Sequence, residues 1–135
     1  MGKSLIITEK PSVAQEFAKV LGVSGGRRDG YLENQKYVIT WCVGHLVAMV
    51  YPESYDIKYK KWKLEDLPFL PKEYKYDVIK DVSRQYDVVH GMLMREDIDR
   101  VYWAGDAGKE GQTIEENIRR FGGVRPGMKE LRVWI

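Results

Sequence analysis

The feature that most constrains the fold is a pair of short apolar runs, each followed at once by charge. Leu5-Ile6-Ile7, flanked by Ser4 and Thr8, is continuous and rich in β-branched residues. Val101-Tyr102-Trp103-Ala104 is a second run of the same kind. Neither alternates apolar with polar residues, so each reads as a strand buried on both faces, as in a parallel sheet. The first runs into Glu9-Lys10, the second into Gly105-Asp106-Ala107-Gly108-Lys109-Glu110-Gly111.

Helical periodicity follows each strand. Pro11 biases Lys10 away from helix. Ser12 with Gln15 reads as a capping box, and Val13, Phe17 and Leu21 recur at helical spacing beside Ala14 and Ala18, up to a stop at Gly22. Residues 24–30 form a glycine-rich, locally basic loop. Residues 31–33 and 37–43, joined by Asn34-Gln35-Lys36, predict a hairpin that Gly44-His45 ends. Val82, Tyr86, Val89 and Leu93 predict an amphipathic helix over 81–96. Ile114, Ile118 and Phe121 mark another, supported by Glu115–Arg119 and Glu116–Arg120 pairs and ended by Gly122-Gly123. Residues 131–135 read as a further strand. Between 52 and 76 three prolines, several tyrosines and a lysine cluster predict sparse regular structure. This stretch, about 50–80, reads as an insertion packed on the domain, because its aromatics need burial. Strands alternating with helices imply an α/β fold with a mainly parallel central sheet flanked by helices. Sites in such sheets lie beyond the carboxyl ends of the strands.

A length of 135 residues suits one domain. A content of 44% hydrophobic residues excludes a disordered chain. No apolar run approaches the ~20 residues of a membrane span, and no signal peptide is read, so no membrane partner is expected. The single cysteine, Cys42, excludes an internal disulfide and a Cys-cluster zinc site. It reads as packing in a reducing, cytoplasmic compartment. Lys and Arg number 22 against 20 Asp and Glu, so no global basic excess advertises a nucleic-acid partner. Residues 119–135 are locally basic, with five Lys or Arg against one Glu.

The glycine loop is not a nucleotide-binding loop. That motif needs a glycine where Trp103 stands and Ser or Thr where Glu110 stands, and the dinucleotide fingerprint is not matched either. No nucleotide cofactor is expected. Read as carboxylates, Asp106 at the strand end and Glu110 four residues on suit a hard cation such as Mg²⁺, which takes one or two carboxylates plus water and phosphate. Glu9, at the end of the other strand, could point into the same crevice. The alternative is that Asp106 and Glu110 only favour a helix N-terminus electrostatically.

Four blocks in order carry a family resemblance. Leu5-Ile6-Ile7-Thr8-Glu9-Lys10-Pro11-Ser12-Val13-Ala14 resembles the opening of type IA DNA topoisomerases, in particular topoisomerase III. Thr40-Trp41-Cys42-Val43-Gly44-His45-Leu46 resembles that family's second block. Tyr59-Lys60-Lys61-Trp62-Lys63-Leu64-Glu65-Asp66-Leu67-Pro68 resembles its third. Ala104-Gly105-Asp106-Ala107-Gly108-Lys109-Glu110-Gly111-Gln112 is similar to its acidic Toprim motif.

The resemblance implies a Toprim domain over 1–135, preceding gate and tyrosine domains of the same polypeptide. It implies an ATP-independent enzyme that breaks and rejoins single DNA strands by transesterification, relaxing negative supercoils or decatenating, on mainly single-stranded DNA. Glu9 matches the catalytic glutamate, general acid toward the leaving 3′ oxygen and base in resealing. Lys10 matches a lysine that stabilises phosphate charge. Asp106 and Glu110, with Glu9, match the Mg²⁺ site. Lys109 stands where an arginine is usual. His45, Lys109 and Trp62 are candidate DNA or phosphate contacts. Beside these readings, His45 could equally be structural and Trp62 an anchor of the insertion. Gly108 stands where the family commonly has a second Asp, so one ligand is missing. None of the nine tyrosines lies in a recognisable nucleophile motif, so the chain alone is expected to be inactive. Two alternatives are a free-standing Toprim module that binds metal or DNA without catalysis, and a Toprim nuclease or primase-type enzyme.

Overall fold

The computed structural model describes residues 2–24, 29–61 and 63–134. A five-stranded sheet forms its centre. In chain order the elements are β1 (Lys3–Thr8), α1 (Pro11–Leu21), β2 (Tyr31–Glu33), β3 (Tyr37–Trp41), β4 (Val47–Met49), β5 (Tyr76–Val78), α2 (Ser83–Leu93), β6 (Ile98–Ala104), α3 (Lys109–Gly122) and β7 (Lys129–Arg132). The main sheet runs β2-β3-β1-β6-β7, with β4-β5 a separate antiparallel pair. β1 pairs in parallel with β3 and β6, and β6 with β7; only β2 runs antiparallel, as the predicted hairpin.

The apolar runs are buried on both faces because both faces are covered. Leu5, Ile7, Val101 and Trp103 pack with Tyr86, Val89 and Leu93 of α2 and with Ile114 and Ile118 of α3. Ile6, Ile39, Trp41 and Ala104 point the other way, onto Ala14 and Ala18 of α1. Gly22 closes α1 in the left-handed conformation (φ 69°), as expected.

Several expectations are corrected. No side chain caps α1: Lys10 is extended, Pro11 occupies the first turn, and Ser12 lies inside the helix. Proline, with its φ preset, opens the helix in place of the capping box. β3 stops at Trp41, β6 begins earlier at Ile98, and the last strand lies at Lys129–Arg132. The insertion is built of short 3₁₀ turns, as its prolines suggest. Among its described aromatics, Phe69 sits edge-on to Tyr55 and Tyr59 in a cluster outside the two core clusters. Leu64 stays 90% exposed and Ile57 75%. Residues 25–28 of the basic loop lie outside the described residues.

Candidate metal and phosphate site

Strand register decides which loops meet. Thr8 of β1 is level with Trp41 of β3 and Ala104 of β6, and Trp103 is level with Arg132 of β7. The segments that follow therefore leave the sheet at one edge, its carboxyl end. They carry Glu9-Lys10, Cys42 to His45, and Gly105 to Glu110. Cys42 N–H donating to Thr8 O at 2.8 Å ties the first two together beyond the strands.

The structure brings Glu9 against Asp106. The Glu9 carboxyl is raised above its usual range, first by burial and then by the Asp106 charge. Glu110 and a hydrogen bond with Asp106 push the same way, and Lys10 opposes them. Glu9 Oε1 is buried and finds no partner among the described residues. Both strand-end carboxylates thus face one crevice because β1 and β6 are adjacent and parallel. Asp106 and Glu110 are themselves exposed, as are Lys10 and Lys109. His45 joins them, with Nε2 3.6 Å from Glu110 Oε1. Among the described residues no group of three or more His, Cys, Asp or Glu side chains is assembled as a metal cage.

The glycines of the acidic loop divide by what surrounds them. A Cβ on Gly111 would lie 2.2 Å from the Asp106 carbonyl oxygen, so α3 approaches the strand end only because that position is bare. Gly108 is extended (φ 170°) with nothing within 4 Å of a Cβ. The position where a second Asp is expected is thus open.

One site residue escapes the sequence reading. Glu115 is not paired with Arg119 on the surface. It is buried, its Oε2 accepts the Gly105 N–H at 2.7 Å, and its Oε1 lies 3.0 Å from Arg132 Nε. Arg132 Nε–H itself is aimed at Gln112 Oε1, leaving Glu115 Oε1 with charge but no hydrogen bond. Burial raises the Glu115 carboxyl, against the pull of the Gly105 amide and Arg132. A signal was present: Glu115 shares the i, i+3, i+4, i+7 stripe of Gly111, Ile114 and Ile118, all buried. The predicted Glu116–Arg120 pair does form, at 3.5 Å.

Cys42 is buried beneath the site, its thiol pushed up to about 12 by burial and by the charges of Glu115 and Glu9. It is packing, as read. Trp62 lies outside the described residues; Lys60, Lys61 and Lys63 beside it line a cleft with Tyr51, Tyr59 and Phe69. Part of the basic stretch 119–135 is engaged by the domain's own groups, while Arg120 and Lys129 stay exposed. Arg119 pairs with Glu130 at 2.8 Å, Arg125 donates to the carbonyls of Arg95 and Ile98, and Arg132 to those of the site loop.

The class defined by this fold and site is an α/β domain with facing carboxylates at the carboxyl ends of two adjacent parallel strands. Residues 4–135 match the Toprim domain, and the chain belongs to that family. It is 50% identical over 135 residues to a protein named DNA topoisomerase 3 from Bacillus cereus (strain ATCC 14579), covering 100% of this chain and 18% of that relative. Identity to the DNA topoisomerase 3 of Staphylococcus haemolyticus (strain JCSC1435) is 47% over 116 residues, 86% of this chain and 16% of the relative. To that of Shouchella clausii (strain KSM-K16) it is 44% over 135 residues, 100% and 18%. The matched part of these relatives is their N-terminal region. The chain spans less than a fifth of the curated relatives it matches. No described helix is long and apolar enough to cross a membrane.

Proposed function

We propose that this chain is the Mg²⁺-binding Toprim part of a type IA, topoisomerase III-like DNA topoisomerase, which breaks and rejoins single DNA strands by transesterification without ATP. The observation that carries this reading is the meeting of Glu9 with Asp106. Burial and a second carboxylate shift the Glu9 carboxyl toward its protonated form, and a protonated carboxyl there can give its proton to the leaving 3′ oxygen of a scissile phosphate and take it back on resealing. Lys10, one residue on, supplies positive charge for the phosphate oxygens. His45 and Lys109 flank the crevice as backbone contacts, and the lysines around Trp62 extend the DNA path.

Asp106, Glu9 and Glu110 would hold Mg²⁺. The donor set fits a hard cation that keeps most of its waters, since Glu9 offers a buried, unpartnered oxygen and the loop is otherwise open. Bound there, the ion would neutralise charge on the phosphate. The nucleophilic tyrosine and the gate that admits DNA belong, in this reading, to other domains of the polypeptide, so the chain alone should not relax supercoils.

Titration calorimetry tests the site: Mg²⁺ binding to the wild-type chain is expected and should be lost in Asp106→Ala. In the full-length polypeptide Asp106→Ala should abolish Mg²⁺-dependent relaxation; unchanged relaxation overturns the reading. One observation favours a second reading, a Toprim module that binds metal or DNA without catalysis: Gly108 leaves the loop a carboxylate short. A full-length protein that binds Mg²⁺ yet never cleaves DNA would select it.

A further inference from the structure

Glu115 has no part in the chemistry proposed above, yet it is the only buried carboxylate among the described residues. Burying a carboxylate is costly unless charge and hydrogen bonds offset it. Here the hydrogen bond comes from the loop that carries Asp106, and the charge from Arg132 of β7. Glu115 Oε2 accepts the Gly105 N–H at 2.7 Å, and a Cβ on Gly105 would lie 2.8 Å from that same oxygen. A side chain at 105 and the carboxylate of Glu115 therefore compete for one volume. From the opposite side Arg132 donates to the carbonyls of Trp103 and Gly105 at 2.9 Å each and of Asp106 at 3.0 Å, while standing 3.0 Å from Glu115 Oε1. A guanidinium has five donors in a rigid fork and can make all these bonds at once; an ammonium cannot. The two residues that lead from β6 into the acidic loop are clasped on both sides by backbone contacts. The Asp106 side chain is used by none of them and is left to face Glu9.

We infer that Glu115 and Arg132 are a positioning pair that sets the Asp106 carboxylate against Glu9, with Gly105 as the spacer that admits the Glu115 carboxylate. The inference rests on Asp106 being a site residue, and its tests separate the two ideas.

The first test is a double-mutant cycle on thermal and denaturant unfolding. Gly105→Ala in the wild-type background should raise the unfolding equilibrium constant more than tenfold. In the Glu115→Ala background the same change should alter it less than twofold, because the competing carboxylate is gone. Equal effects in both backgrounds overturn the pairing. The second uses milder variants, Glu115→Gln and Arg132→Lys, in metal-free buffer. Amide hydrogen exchange of residues 105–107 should rise at least tenfold, while Val101 inside β6 keeps its wild-type rate. Exchange that is unchanged, or that rises equally at Val101, marks an ordinary structural ion pair and sinks the proposal. Mg²⁺ affinity of these variants should fall at least fivefold. A wild-type chain that binds no Mg²⁺ while exchange still responds would overturn the metal reading and leave the positioning pair standing.

Discussion

His45 Nε2 lies 3.6 Å from Glu110 Oε1, across the gap between the segment after β3 and the first turn of α3. The contact joins two loops that are sixty-five positions apart in sequence. Both side chains are exposed enough, 38% and 78%, that neither is holding the fold together. His45→Ala should therefore leave stability within ~0.5 kcal/mol of wild type. It should lower single-strand cleavage by the full-length polypeptide about tenfold if His45 contacts phosphate or the acidic loop during the reaction. Wild-type cleavage by His45→Ala would place the histidine outside the site.

The pressure between Glu9 and Asp106 should be visible as lost stability. A carboxyl whose folded pKa is raised is more favourable to folding when protonated, so its contribution worsens as pH rises through that pKa. Glu9→Gln should thus stabilise the metal-free chain at pH 7, by about 0.5 kcal/mol, the low end of what relieving functional strain gives. The gain should shrink as pH falls to 4, because protonation of wild-type Glu9 removes the unfavourable charge. Denaturant melts at the two pH values with chelator present check the sign.

Glu33 should behave in the opposite sense. It lies 2.5 Å from Lys3 Nζ and 2.8 Å from Arg95 Nη2 with its side chain only 14% exposed. Hydrogen bonding by Arg95 holds its carboxyl below the usual range, and Lys3 adds to this against the cost of burial. A lowered folded pKa gives stability that is present above the unfolded pKa and is lost as pH falls through the folded one. Glu33→Gln should cost about 1.5–3 kcal/mol at pH 7, as for a charged hydrogen bond. The difference from wild type should close as pH falls below the ordinary glutamate range.

Gly108 and Gly111, three residues apart, should respond oppositely to a side chain. Gly108→Asp enters open space on an extended backbone. It should leave the melting temperature nearly unchanged and tighten Mg²⁺ in calorimetry by supplying the absent carboxylate. Equal affinity would show that position 108 does not face the ion. Gly111→Ala drives a methyl group into the Asp106 carbonyl. It should cost at least ~2 kcal/mol, as overpacked sites do, and weaken Mg²⁺ binding as the strand end shifts.

The central sheet was legible because its strands are marked by composition alone. Leu5-Ile6-Ile7 and Val101 to Ala104 have no polar face, and only a two-sided cover accommodates that. The carboxylates Glu9 and Asp106 were legible as strand-end residues, and parallel pairing brings them together. What stayed hidden depends on distant partners. Glu115 looks like a surface helix glutamate until Gly105, ten positions back, and Arg132, seventeen on, are placed around it. The capping box was pre-empted by a neighbouring proline. β4 and β5 are three residues each and pair across an insertion of 26 residues, so no local pattern announces them. Tyr55, Tyr59 and Phe69 of the insertion found one another and not the core, a choice that composition does not distinguish.

The engagement of Arg119, Arg125 and Arg132 with the domain's own carboxylate and carbonyl groups has a consequence for how DNA would be drawn in. A cation already matched by a carboxylate or turned onto carbonyls releases few counterions when a strand arrives, because it was not available to the phosphates. The steepness with which affinity falls in salt counts released ions, about 0.7 per phosphate contacted on a single strand. This domain should therefore show a shallow salt dependence, set by the free lysines at the crevice and in the insertion. Arg119, Arg125 and Arg132 of the basic C-terminal stretch would contribute little to that slope: in this fold they serve as internal scaffolding and not as a landing strip.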